Sequence, residues 1–233
     1  MHKDLTLPHM QPLVEFVLRM RDRYVDGYVP NFDPDDGGVN AEILFLFEKP
    51  GPKTDPTEGG SGFISQDNND PTAKATKDFL LKAGIDRKKI IIWNSISAWN
   101  GTIRYTKKEM THTKQELEEL LSLLPALRWI VLVGRNAQKI TKLVDLSSYK
   151  VLNSPHPSPK VRSTNPEVWK SIPVIWRQPN ERNHEKYWII GAITAITIFV
   201  ISWYTLDVIP CDSPWSVGPD CEEIIRELER QEG

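Results

Sequence analysis

Four short apolar runs in this chain are each followed at once by polar residues that can do chemistry. The clearest is His156, which lies in the segment Asn-Ser-Pro-His-Pro-Ser-Pro at 153–159. Three prolines fix φ and keep their neighbours out of helical geometry, so the imidazole is held on a rigid loop as a hydrogen-bond donor. By itself such a loop is also typical of a segment that only connects two elements. Whether it has a function depends on the other segments.

The other polar segments supply a carboxylate, amides and basic side chains. They are Glu48–Gly51 (Glu-Lys-Pro-Gly), Asn94 and Gly134–Asn136 (Gly-Arg-Asn). An amide offers a donor and an acceptor side by side, and a carboxylate can hold a water molecule or face a positive charge. If the preceding runs are neighbouring parallel strands, these groups and His156 meet at one edge of a sheet.

The apolar runs themselves predict strands. They cover Ile43–Phe47, Ile90–Trp93, Trp129–Val133 and Lys150–Leu152. The first three are almost uninterrupted in their apolar character, which is typical of parallel strands covered on both faces. Ligands bind beyond the carboxyl ends of such strands, so the sequence predicts a site there.

Helical patterns separate the predicted strands. Asp70-Pro71 indicates a helix start and Ala83-Gly84 its end, while Thr113 and Glu116 form a capping box before Leu117–Leu124. Further helices are predicted over Leu13–Arg23, Asn136–Val144 and Pro166–Ile172. The alternation predicts an α/β fold, a three-layer α/β/α sandwich around a central, mostly parallel four-stranded sheet.

Taken in order, the polar segments resemble the uracil-DNA glycosylase superfamily. The matching segments, between about Glu42 and Trp176, are Phe47–Gly51, Gly60–Ser65, Trp93-Asn94, Val133–Arg135 and Ser154–Pro159. The run Gly-Ser-Gly-Phe-Ile-Ser at 60–65, followed by 67–73, is similar to a bacterial branch, and His-Pro-Ser-Pro at 156–159 is the most specific element. The resemblance implies a monofunctional DNA glycosylase that flips out a pyrimidine, uracil or a modified one, and hydrolyses its N-glycosidic bond.

The resemblance implies two catalytic residues. His156 would donate to the O2 of the leaving base, on which negative charge develops, and Glu48 would be the acidic or water-positioning group. The chain departs from the family pattern at Phe47, where relatives have glycine, and at Lys49, where they have alanine or aspartate. The alternative for Glu48 is a surface carboxylate paired with Lys49 or Lys53.

The resemblance also implies the residues that bind the base. Asn94 would read the pyrimidine edge, and Phe63 would be the aromatic platform on which the base stacks. The alternatives are that Asn94 only caps the end of its strand and that Phe63 is a side chain of the core. Gly51 stands where stricter uracil enzymes have a tyrosine beside C5, so the pocket is expected to admit 5-substituted pyrimidines.

DNA is the implied partner, and its phosphates would be contacted by Ser158, Ser61 and Lys160, with Ser65 and Arg162 as weaker candidates. We expect the catalytic domain to be monomeric and to need no metal or organic cofactor. The predicted domain, residues 1–180, contains no cysteine, so the iron–sulfur cluster of some related glycosylases cannot be built there.

A second feature follows this domain. Tyr187–Leu206 contains no charged residue and has aromatic residues near both ends, which predicts a single transmembrane helix. Basic residues precede it and an acidic tail, 207–233, follows it, so the positive-inside rule places the catalytic domain in the cytoplasm of a bacterial or phage-related cell. The tail carries both cysteines, Cys211 and Cys221, which an oxidising compartment would allow to pair.

Two other functions fit the same residues. A tether at the membrane suits the inspection of incoming DNA, which favours an antiviral enzyme that removes modified, 5-substituted bases from phage DNA. The departures at Phe47 and Lys49 favour a non-catalytic, membrane-tethered DNA-binding module, whereas His156 and Asn94 oppose it.

Overall fold

Parallel strands form the framework of the computed structural model, which describes residues 3–104 and 106–180. In chain order the strands are β1 Asn31–Phe32, β2 Ile43–Phe47, β3 Phe63–Ile64, β4 Ile90–Asn94, β5 Trp129–Val133 and β6 Lys150–Ser154. Four of them form one sheet in the order β4-β2-β5-β6, and every pairing in it is parallel. The four predicted strands are therefore confirmed, while β1 and β3 form a separate parallel pair that the apolar pattern did not predict.

Burial explains why three of the strands are so apolar. Every residue of β2, β4 and β5 is buried, whereas β6 is an edge strand with exposed positions. Strand β6 continues beyond the predicted run through exposed Asn153 and buried Ser154, whose hydroxyl accepts a hydrogen bond from the indole N–H of Trp176 at 2.7 Å.

Helices cover both faces of the sheet. They are α1 Gln11–Arg23, α2 Pro71–Lys82, α3 Lys107–Ser122, α4 Pro159–Thr164 and α5 over 166–180. On one face Phe45 packs against Trp176 of α5, with ring centroids 4.8 Å apart, and Phe79 of α2 packs against Trp169 of α5 at 4.9 Å. On the other face Phe16 of α1 contacts Trp93 at 5.9 Å. These contacts give the predicted three layers.

The start of α3 differs from the prediction. The capping box is formed by Thr106 and Glu109, seven residues before the predicted pair. Thr113 lies inside the helix, where its hydroxyl donates to the carbonyl of Glu109 at 3.2 Å, and Glu116 is buried. Both pairs have the same spacing, so the local pattern alone could not choose between them, and the prediction at Thr113 and Glu116 is wrong.

One other helical prediction needs a change of detail, and one short helix was not predicted. The segment predicted as a helix over Asn136–Val144 is a 3₁₀ helix over Ala137–Lys142. The short helix α4 was not predicted, and it begins because Ser158 caps it and Pro159 follows.

The predicted transmembrane segment Tyr187–Leu206 and the tail lie outside the described residues. Among residues 3–104 and 106–180, no helix has the length and apolar character to cross a membrane.

Candidate active site

The carboxyl ends of the strands border a cavity of about 720 Å³. Six of the eight predicted site residues line it, namely Glu48, Gly51, Asn94, His156, Ser158 and Lys160. The prediction of a site beyond the strand ends therefore agrees with where these residues lie.

His156 is held in a tight, mostly apolar setting. Its ring meets the ring of Phe47 edge-on at 5.5 Å, and a Cβ added to Gly134 would lie 3.2 Å from its Cδ2 atom. Gly134 has φ +89°, so glycine is required there both by the backbone and by the imidazole. Burial lowers the pKa of His156 to about 4, against an opposing effect of Asp70. The ring is therefore neutral at neutral pH.

The surroundings of the ring indicate which nitrogen of His156 carries the proton. Its Nδ1 atom is buried and has no hydrogen-bond partner among the described residues. A neutral imidazole has one donor nitrogen and one acceptor nitrogen. A buried N–H group without a partner is rarer in proteins than a buried acceptor without one. This favours the proton on Nε2, the nitrogen that is not buried.

Glu48 is held by an amide and not by a lysine. The side-chain nitrogen of Asn136 donates to Glu48 Oε1 at 2.7 Å. Lys49 instead pairs with Glu109 at 2.6 Å and also donates to Asn100, and its side chain is only 2 % exposed. Glu48 thus keeps its carboxylate at the cavity while Lys49 points into the protein.

Asn94 is the last residue of β4 and is 6 % exposed. In the register of the sheet it lies opposite Phe47. The next residue, Ser95, donates its hydroxyl to the carbonyl of Phe47 at 2.9 Å and to that of Glu48 at 3.2 Å. This residue was missed by sequence reasoning, and it fixes the ends of β2 and β4 relative to each other.

Gly51 leaves open space at the cavity. A Cβ built on it would meet no atom within 4 Å, and its φ of −112° is accessible to any residue. A larger side chain would therefore fit here without backbone strain, and its absence enlarges the cavity.

The family model described as the Uracil DNA glycosylase superfamily matches residues 34–177, more than half of the chain. The chain belongs to this superfamily. Its enzymes are DNA glycosylases that act on DNA and serve DNA repair, so this chain is a DNA glycosylase. The match covers the whole cavity lining described above.

Solved structures also match the chain, at low identity and low TM-score. One is a solution structure of a candidate uracil DNA glycosylase from Methanosarcina acetivorans, with 16% identity and a TM-score of 0.39, covering 60% of this chain and 91% of that one. Another is a crystal structure of a variant of mimivirus UNG in complex with UGI, with 16% identity and a TM-score of 0.40, covering 66% and 70%. No curated protein matches the chain.

Phe63 and Ser61 do not line the cavity of this DNA glycosylase. Side chains alternate along a strand, and in β3 it is Ile64 that lines the cavity while Phe63 lies on the other side, with Lys3 Nζ 5.6 Å from its ring. The hydroxyl of Ser61 bonds the backbone of Phe63. The aromatic ring that lines the cavity is that of Phe47.

The residues predicted to bind phosphate differ in their contacts and in their exposure. Ser158 accepts from the N–H of Val161 at 3.4 Å as the cap of α4, and its own N–H donates to the carbonyl of His156 at 2.8 Å. Lys160 is exposed at the cavity. Ser65 is buried against Asp33, and Arg162 lies over Trp169 at 5.9 Å. Ser65, Ser158 and Lys160 line the cavity, where Lys160 is exposed, Ser158 is partly buried and Ser65 is buried.

An acidic cluster lies behind the cavity wall. Asp33, Asp35 and Asp67 have carboxylate oxygens within 4.8 Å of one another. Arg87 donates to Asp33 at 2.6 Å and to Asp67 at 2.7 Å, and Lys3 also pairs with Asp33. Protein cations therefore compensate the cluster, and it anchors the loop that carries the cavity-lining residues Ser65 and Gln66.

Proposed function

We propose that this glycosylase hydrolyses the N-glycosidic bond of a flipped-out pyrimidine and leaves an abasic site. The observation that carries the proposal is that Glu48, Asn94 and His156, which come from three different strand ends, line the same cavity. Cleavage of this bond develops positive charge on the sugar and negative charge on the base, so it needs a carboxylate and a hydrogen-bond donor on opposite sides of the breaking bond.

Each residue has a role that its surroundings support. His156, neutral and with only Nε2 accessible, donates to the base oxygen as it becomes negative. Glu48 faces the sugar and orients the attacking water, which adds to the sugar carbon as the base departs. The water gives up a proton to Glu48 as its oxygen bonds the sugar carbon, and the departing base anion takes up a proton, so the reaction is a hydrolysis that gives a free base and an abasic site without a protein nucleophile.

Base recognition is assigned to Asn94 and Phe47. Asn94 lines the cavity, and its amide offers a donor and an acceptor side by side for the pyrimidine edge. Phe47 supplies the aromatic surface in the cavity, the role first assigned to Phe63. A flipped base is held by such polar and aromatic contacts in this class of enzyme.

A second candidate substrate is a pyrimidine with a substituent at C5. The open space at Gly51 and the cavity volume of about 720 Å³ favour it over a pocket fitted to uracil alone. Such bases occur in modified viral DNA, so this substrate would suit an antiviral enzyme.

Membrane tethering remains part of the proposal. The composition of Tyr187–Leu206 supports a single C-terminal span with the catalytic domain in the cytoplasm. A tethered enzyme meets DNA that crosses the membrane before it meets the bulk chromosome, which supports defence over general repair. A tethered DNA-binding module without catalysis is the remaining alternative.

The substrate is tested with oligonucleotides that carry uracil, a thymine mismatch or 5-modified cytosines, followed by alkali to cleave abasic sites. We expect cleavage of at least one pyrimidine substrate. Gly51→Tyr should reduce the rate on 5-substituted bases much more than on uracil, because the ring fills the open space. Equal losses on all substrates would contradict the assignment of Gly51.

A further inference from the structure

The turn after β5 contacts both predicted catalytic residues. Its first residue, Gly134, packs against the ring of His156, and Asn136 donates to Glu48 at 2.7 Å. The turn is fastened to the end of β6, because the N–H of Gly134 donates to the carbonyl of Ser154 at 2.8 Å. The side chain of Gln138 donates to the same carbonyl at 3.1 Å.

Two of its partners fix the orientation of the Asn136 amide. Lys139 Nζ donates to Asn136 Oδ1 at 2.6 Å, and a lysine can only donate. Glu48 accepts from the amide nitrogen, and an ionised carboxylate can only accept. The oxygen of the amide must therefore face Lys139 and its nitrogen must face Glu48.

The charge of Lys139 strengthens this contact. A cation bound to the amide oxygen polarises the amide and makes its N–H groups better donors. The contact joins two loops that are 88 residues apart in sequence, and both Glu48 and Asn136 line the cavity. The carboxylate therefore has a fixed direction before DNA binds.

We infer that Asn136 is a positioning residue that holds the Glu48 carboxylate toward the sugar of the flipped nucleotide, with Lys139 fixing the amide. The inference rests on the proposed function, since Glu48 is the residue through which it acts. Asn136 itself makes no chemical step.

Two substitutions and a matched control test it in the full-length protein. Asn136→Ala removes the donor, and Asn136→Asp replaces it with a second carboxylate of the same shape next to Glu48. Asn40→Asp is the control, since Asn40 is exposed and precedes the amino end of β2, away from the cavity. Thermal unfolding of each variant checks that the fold is retained.

The kinetic readout is the single-turnover rate of base release, measured with DNA affinity. We expect Asn136→Ala to lower the rate by about 10- to 100-fold, a loss typical of a misdirected catalytic group, with little change in affinity. In a Glu48→Gln background the same substitution should have almost no further effect, because the two residues act as a unit. A full additional loss in that background would overturn the inference.

A readout without substrate separates this inference from the proposed function. Nitrogen-15 NMR follows the side-chain amide of Asn136, assigned as the signal that is lost in Asn136→Asp and kept in Asn40→Asp. In Glu48→Gln the proton signal of this amide should move upfield, because its N–H then no longer donates to a charged acceptor. An unmoved signal in Glu48→Gln would overturn the contact, whereas a moved signal in a protein that releases no base would refute the proposed function alone.

Discussion

At the scale of single residues, the site depends on a neutral histidine, a fixed carboxylate and a buried amide. His156 is neutral because burial lowers its pKa to about 4, so it can donate a hydrogen bond without a charge that would oppose the positive charge developing on the sugar. In the proposed reaction Glu48 would supply the negative charge that faces the positive charge developing on the sugar.

The lowered pKa of His156 predicts a dependence of stability on pH. Between about pH 4 and 6.5 the unfolded chain binds a proton at this residue and the folded chain does not, so the free energy of unfolding decreases as the pH falls through this range. His156→Asn removes this contribution. Chemical denaturation should show that the wild type loses about 2 kcal/mol relative to the variant between pH 7 and pH 4.5. A constant difference between the two proteins would mean that His156 titrates normally.

Phe47 and Phe63 are distinguished by matched substitutions. Phe47→Leu keeps apolar volume but removes the aromatic face in the cavity. We expect the rate of base release to fall by about 10-fold, because stacking stabilises a bound base by about 1–3 kcal/mol. Phe63→Leu should have little effect on the rate. The reverse result would mean that the β3 loop rearranges to bring Phe63 onto the base.

At the scale of elements, side chains join the loop after β2 to other parts of the fold. Lys49 is the main example, because its ammonium reaches Glu109 of α3, Asn100 and the carbonyl of Arg104. Burial opposes ionisation of Glu109, yet hydrogen bonds from Lys49 and Thr106 hold its pKa below the usual value. Lys49, which departs from the family pattern, therefore attaches the loop after β2 to α3.

Loss of this ion pair should destabilise the fold. Lys49→Met leaves Glu109 as a largely buried charge without its partner, and we expect the free energy of unfolding to fall by about 3 kcal/mol. Lys82→Met is the control, since its pair with Asp78 is exposed and should contribute about 1 kcal/mol or less. Urea denaturation measures both, and equal effects would show that the Lys49 contact contributes no more than a surface pair.

The same elements explain what the sequence could and could not predict. The buried strands were predicted because helices on both faces require an apolar residue at every position, which leaves a clear pattern. Strand β3 has two residues, too few for any periodicity, and the side to which Phe63 points depends on its pairing with β1. Contacts such as that of Asn136 with Glu48 join distant loops, so no local pattern reveals them.

At the scale of the whole molecule, a DNA glycosylase domain is followed by a segment with the composition of a membrane span. Residues 34–177 match the superfamily, and Tyr187–Leu206 begins soon after that match ends. The proposed tether depends on this segment spanning a membrane, with the glycosylase domain on the cytoplasmic side.

The membrane prediction is tested by fractionation. Expressed in a bacterium, the full chain should sediment with membranes and resist carbonate extraction, while a chain truncated after Asn183 should stay in the supernatant. Cys211 and Cys221 should react, after reduction, with a thiol reagent that does not cross membranes. Full-length protein in the soluble fraction would contradict the tether and the preference for incoming DNA.

The central claim is that the cavity releases a pyrimidine base by hydrolysis. It is tested most directly by mass spectrometry of the products formed when the purified protein is mixed with the oligonucleotides described above. We predict a free pyrimidine and an abasic strand in equal amounts, and a rate about 100- to 1,000-fold lower for His156→Ala, which loses its transition-state donor but still binds DNA. Tight DNA binding with no base released from any substrate would contradict the claim and leave a DNA-binding module.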